Sequence, residues 1–179
     1  GWEFHASAND AAALVAEIEA AAKPHGLGYY GAYAADSMRL EKGYRGWGAD
    51  LTTERSPIEA GLGAFVRDKG DLRAEWDMVL LDIETDEVDP FYAHTVWQGD
   101  RAVGVVTSGA YGHRTQKTLA LAYLRDPTAR EDLTVSILGR RRRATILPEA
   151  PFDPQNLRLK RSTFPMNQSP PEIARQRLP

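Results

Sequence analysis

Glu41 stands in the run Arg39-Leu40-Glu41-Lys42-Gly43-Tyr44, and a carboxylate there is a good partner for a flat nitrogen heterocycle. Its two oxygens can accept parallel N–H bonds from adjacent ring donors, the charge-assisted fork geometry that arginine also exploits. The competing reading is a surface glutamate paired to Arg45 four residues on, worth a few tenths of a kcal/mol. An acid near a helix C-terminus opposes the macrodipole, and local misfits of that kind tend to mark function. Tyr33, about two turns earlier on the same expected helix, is a candidate wall for the ring, set against an ordinary core tyrosine. Arg39, Lys42 and Tyr44 read as packing and pairing residues. A second stretch, Gly104-Val105-Val106-Thr107-Ser108-Gly109-Ala110-Tyr111-Gly112, looks like a strand ending in a glycine-rich turn, where glycine permits positive φ and close backbone approach. It lacks the G-K-[ST] ending of a phosphate cradle. His5, His25, His94 and His113 have no metal-ligand spacing, so no metal site and no catalytic residue is assigned.

The elements that must position these residues follow from periodicity. Asn9 or Asp10 can cap a helix over Ala11–Ala22, with Leu14, Ile18 and Ala21 on one stripe. Lys23-Pro24-His25-Gly26 stops it. A second helix is predicted over Tyr30–Lys42, ended by Gly43, which puts Glu41 in its last turn. Residues 45–57 read as loop, Ala64–Val66 as a short strand and Asp68–Asp71 as a turn. From Trp76 the period becomes two. Strands are predicted over Asp77–Ile83, Ala93–Trp97, Ala102–Thr107, Leu119–Leu124, Leu133–Leu138 and Arg141–Leu147, with hairpin turns at Gly99-Asp100 and Gly139-Arg140. Six short strands at this spacing argue for a small antiparallel barrel of jelly-roll or Greek-key type, so the chain reads as α+β. Pro148, Pro151 and Pro154 make an extended arm, and residues 161–179 a loosely held tail.

Composition narrows the class. Hydrophobic residues make up 42% and charged residues 26% of 179, a soluble globular balance. No apolar run approaches the roughly 20 residues that cross a bilayer, so no membrane partner is expected. The absence of cysteine excludes disulfides and thiolate chemistry and is compatible with a cytoplasmic setting. A net charge of −3 gives no global pull toward nucleic acid. The four arginines Arg140–Arg143 split between two strand faces and read as a solvated hairpin. The opening Gly1-Trp2-Glu3 shows neither a secretory signal nor a lead-in to an element, so the chain is expected to be part of a longer protein.

Taken in order, Arg39–Tyr44, Ser56-Pro57-Ile58-Glu59-Ala60-Gly61-Leu62-Gly63 and Gly104–Gly112 resemble the folate-binding aminomethyltransferase family, the glycine cleavage T-protein and its relatives. The likeness covers about Gly1 to Lys160 and leans toward the folate module of dimethylglycine and sarcosine dehydrogenases. It implies that residues 1–75 close an incomplete α+β folate-binding domain, that 76–160 form the family's C-terminal barrel, and that 161–179 are tail. It implies tetrahydrofolate as cofactor, with Glu41 on the pterin edge, Tyr33 beside the ring, and Arg158 near the tail carboxylates because the family's C-terminal arm lies by the folate. Gly104–Gly112 would line the folate channel. The small-molecule partner would be a methylamine-type donor, transferring or losing a one-carbon unit. The region holding the family's catalytic aspartate has no counterpart here, so the isolated chain is expected to be inactive. Flavin adenine dinucleotide would sit only in a separate upstream domain, since no G-x-G-x-x-G fingerprint occurs. An alternative from a different class is a non-catalytic small barrel that contacts RNA or a protein through Arg140–Arg143.

Overall fold

The computed structural model describes residues 3–67, 74–85, 88–126 and 128–160. Two compact units divide the chain between Ala35 and Asp36.

In the first unit, helix α1 spans Ala11–Ala22 as predicted. Asp10 stands at its N-cap without a side-chain capping bond; its carboxylate instead accepts from the Ser7 hydroxyl at 2.7 Å. Gly26, at φ +79°, ends the turn after the helix, as a left-handed C-terminal glycine does. Leu14 and Ile18 are half-buried and Ala21 is exposed. None of the twelve α1 residues is buried.

The second unit is built on a closed barrel with strand order β1-β4-β3-β2-β5-β6. The strands are β1 Asp77–Ile83, β2 Thr95–Gln98, β3 Arg101–Gly112, β4 Lys117–Leu124, β5 Leu133–Ile137 and β6 Arg140–Leu147. All neighbouring pairs are antiparallel. Alternation sends Val79, Leu81, Ile83, Val106, Leu124 and Val135 into the interior. The other face of β1 and β4 presents Met78, Leu80, Leu119, Leu121 and Tyr123 to Leu40. Leu40 belongs to helix α2, Ala32–Glu41, so β4 is covered on both faces. That is why Leu119–Leu124 reads as an unbroken apolar run rather than an alternating one.

Three local readings change. Ala64–Val66 is not a strand: Gly63–Phe65 forms a 3-10 turn. The Gly104–Gly112 stretch lies wholly inside β3, and none of its glycines has a positive φ. They serve close approach instead, since a Cβ on Gly104 would meet the Leu124 side chain at 2.7 Å. The β5–β6 turn is Leu138-Gly139 rather than Gly139-Arg140, with φ of +48° and +74°. The expected turn at Asp68–Asp71 and the tail 161–179 lie outside the described residues. Among those described, no helix is long and apolar enough to cross a membrane.

Candidate functional site

Glu41 closes α2 and is 4% exposed. Leu40 beside it is fully buried against the barrel, and the Ser37 hydroxyl, one turn earlier, donates to the Tyr111 carbonyl at 2.7 Å. The helix end is thereby fixed over the β3–β4 hairpin. Glu41 Oε1 accepts from the Arg114 and Thr115 amides at 2.8 and 2.7 Å and from the Thr115 hydroxyl at 3.0 Å. A carboxylate that takes two adjacent backbone N–H groups caps the turn much as a helix N-cap does. Gly112 makes the room, because a Cβ there would sit 2.9 Å from Glu41 Oε1. Glu41 does not pair with Arg45, which donates to the Ala60 and Gly43 carbonyls at 3.0 and 2.8 Å.

The proline-rich arm returns to the same place. Its Phe152 amide donates to the Glu41 carbonyl at 3.1 Å. The guanidinium carbons of Arg114 and Arg158 lie 5.8 and 5.1 Å from the Phe152 ring centroid. Lys42 locks the arm, donating to the Asp153 backbone carbonyl and to Asn156 Oδ1 at 2.6 Å each and to Asp153 Oδ2 at 3.3 Å. Burial pushes the Asp153 carboxyl up, but bonds from the Leu157 amide, Lys42 and the Arg158 amide outweigh it and hold the pKa low. So Glu41 and Arg158, far apart in the chain, share one neighbourhood. Tyr33 is 94% exposed and is not a core tyrosine.

A buried acid that sequence reasoning passed over lies behind this region. Asp50 is fully buried. Its Oδ2 accepts from Arg39 Nη1 at 2.6 Å and the Gly46 amide at 2.8 Å, while Oδ1 accepts from the Thr107 hydroxyl and from Ser108 Oγ at 2.7 Å. Consecutive strand residues normally face opposite ways. Thr107 and Ser108 both reach Asp50 because β3 bulges between Val106 and Ser108. A groove of about 380 Å³ opens beside this network, lined by Asp36, Arg39, Phe91, Tyr92, Thr107 and Ser108 among others. Glu41 is not part of its wall.

Two arginines of the β5–β6 hairpin, Arg141 and Arg143, have partners within the protein. Arg141 stacks on Trp97 at 4.4 Å and reaches Asp100 at 3.3 Å, and Arg143 lies 3.9 Å from Glu84.

Comparison with known proteins gives this geometry a setting. The chain is 34% identical over 165 residues to dimethylglycine dehydrogenase, mitochondrial, from Mus musculus, covering 83% of this chain and 19% of that protein. Sarcosine dehydrogenase, mitochondrial, from the same organism is 31% identical over 183 residues, covering 89% and 20%. An aminomethyltransferase from Aquifex aeolicus (strain VF5) is 30% identical over 162 residues, covering 85% and 45%. The chain thus spans between a fifth and about half of these relatives' length. Among solved structures, a glycine cleavage system aminomethyltransferase T from Bartonella henselae superposes with a TM-score of 0.62 at 23% identity, over 82% of this chain and 45% of that one; it supports the fold. Residues 1–69 match the GCVT N-terminal domain and residues 77–153 the glycine cleavage T-protein C-terminal barrel domain. The chain therefore belongs to the glycine cleavage T-protein family, carrying the barrel of its C-terminal domain and a stretch of the domain before it.

Proposed function

We propose that this chain supplies the tetrahydrofolate-holding part of a one-carbon transferase or demethylase related to the dimethylglycine and sarcosine dehydrogenases. Residues 1–75 close the folate-binding domain and 76–160 form the barrel. The observation that carries the reading is the meeting of Glu41 and Arg158 at Phe152. Tetrahydrofolate has an amino-pyrimidinone edge rich in N–H donors at one end and glutamate carboxylates at the other. The residues fit both. Glu41 Oε2 takes no hydrogen bond from the described residues, whereas Oε1 is already engaged. The pterin contact is thus a charge-assisted bond through Oε2 rather than a full two-oxygen fork. Arg114 and Arg158 offer guanidinium edges with no acid partner among the described residues, suited to a carboxylate. A ligand that meets both groups bends back between ring and tail. Tyr33 stands exposed as the candidate ring wall. When bound, tetrahydrofolate supplies the nitrogen that accepts a one-carbon unit from a methylamine-type donor. The protein's part is to hold that nitrogen in place and exclude water. A flavin, where the whole protein uses one, belongs to a further domain.

A purely structural reading of Glu41 also has an observation behind it, the three bonds to Oε1. Glu41→Gln separates the two, because the amide oxygen keeps the turn while the amide nitrogen repels N–H donors at the Oε2 position. Isothermal titration of 5-formyltetrahydrofolate into the protein carrying this chain at its relatives' length is expected to show at least about tenfold weaker binding by Glu41→Gln, with an unchanged unfolding midpoint. Equal affinity in the two proteins would refute the pterin role.

A further inference from the structure

Trp76, packed against the cluster of Leu40 and Tyr123, carries two arginines. The Arg55 guanidinium carbon lies 4.4 Å from the Trp76 ring centroid and 5.3 Å from that of Tyr123, and Arg125 lies 5.8 Å from Trp76. The Tyr123 ring is anchored by its hydroxyl, which donates to the Asp50 carbonyl at 2.9 Å, and the Trp76 backbone amide donates to Glu59 Oε1 at 3.2 Å. The two buried acids beside them are already engaged: Glu59 by the Ser56 amide and hydroxyl and by the Glu75 and Trp76 amides, and Asp50 by Arg39, the Gly46 amide and the Thr107 and Ser108 hydroxyls. Neither Arg55 nor Arg125 has a carboxylate within ion-pair distance among the described residues.

A stacked guanidinium spends its faces on the rings and keeps its in-plane N–H donors outward, the edge that grips phosphate and carboxylate. Two such cations held near one indole repel each other, and an incoming anion relieves that repulsion. The side chains are also pre-ordered by the rings, so less rotamer freedom is lost when a ligand binds. We propose that Arg55, Arg125 and Trp76 form a binding site for a small oxyanion bearing two charged phosphate or carboxylate groups, built from residues other than Glu41, Arg114 and Arg158. It stands whether or not the chain holds a folate.

The test titrates the 179-residue chain with pyrophosphate and, separately, with succinate, reading heat and the indole N–H resonance of Trp76, identified by its loss in Trp76→Phe. Saturable binding that moves this resonance is expected. Tighter pyrophosphate binding makes the ligand a phosphate compound, and tighter succinate binding a dicarboxylate. Arg125→Ala should weaken the preferred anion at least about tenfold, near 1.4 kcal/mol. Arg55→Lys keeps the charge but loses the stacked fork, and should weaken it comparably while the unfolding midpoint holds. If neither anion moves the Trp76 resonance, or if both variants retain wild-type affinity, the site does not exist.

Discussion

At the scale of single residues, Asp50 and Glu59, two of the three buried carboxylates among the described residues, lead to different tests. Asp50 answers a cation, a backbone amide and two hydroxyls at once, so truncation removes the acceptor that all four share. Asp50→Ala is expected to cost about 3–5 kcal/mol in urea unfolding, the scale for removing one partner of a buried ion pair; Asp50→Asn, which keeps the shape and one oxygen, should cost clearly less. Burial raises the Glu59 pKa, but bonds from Ser56, Glu75 and Trp76 outweigh it and hold it below its ordinary 4.5. A carboxyl depressed by folding stabilises the protein above that ordinary value, and the contribution fades as pH falls from there through the folded pKa. Melting temperatures measured downward from pH 4.5 should therefore drop, and the slope should be shallower in Glu59→Gln. Glu41 stands out in the sequence as a candidate through its motif, and its place at the end of α2 follows from the helix pattern. Asp50 does not stand out, because Arg39, Thr107 and Ser108 meet it only through a loop and a strand bulge that no periodicity announces. Arg114 was missed for a similar reason: its relevance comes from the Phe152 ring, brought over by the distant arm.

Elements show which local signals carry weight. Period-two patterning located six strands and bounded β1 to the residue; alternation is enforced where only one face is buried, as in β5, and fades in β4, which is covered on both faces. It shortened β3, whose glycines read as a turn although they are where β3 and its neighbours come close. The two-residue turn Leu138-Gly139 has positive φ at both positions, the geometry of a type I′ hairpin that favours Asn-Gly. Leu138 is 79% exposed and gains no packing for its strain. Leu138→Asn is expected to raise stability by about 0.5–1 kcal/mol in chemical denaturation. The β3–β4 turn is closed by its own Gln116 amide, which donates to the Gly112 carbonyl at 2.7 Å, and is held from outside by Glu41 as well. Glu41→Ala should therefore speed amide hydrogen exchange at Arg114 and Thr115 selectively, leaving β1–β4 pairing protected. Uniform loss of protection across β3 and β4 would mean that the latch supports the whole sheet.

Across the molecule, burial is concentrated in one of the two compact units. Among the described residues, every buried hydrophobic one falls between Leu40 and Ala144, whereas residues 3–35 contain none, and Phe4, Tyr29, Tyr30 and Tyr33 there are 62–94% exposed. The sequence pattern of α1 could not reveal this. Leu14, Ile18 and their neighbours give a recognisable stripe, and a stripe states only that a helix can bury a face, not that it does. An alanine-rich helix of twelve residues without a packed face is marginal in water, because nucleation costs more than so few hydrogen bonds return. The barrel, by contrast, closes on itself and has no sheet edge left to pair. Stability should therefore reside almost wholly in residues 36–160. Native-state hydrogen exchange is expected to find α1 amides exchanging with opening free energies near zero, while amides of β1, β3 and β4 exchange only by global unfolding. Removing residues 1–31, which stops short of α2, should leave the midpoint and steepness of urea unfolding unchanged. A lowered midpoint, or α1 amides as protected as those of β4, would show that the first unit shares the cooperative core of the second.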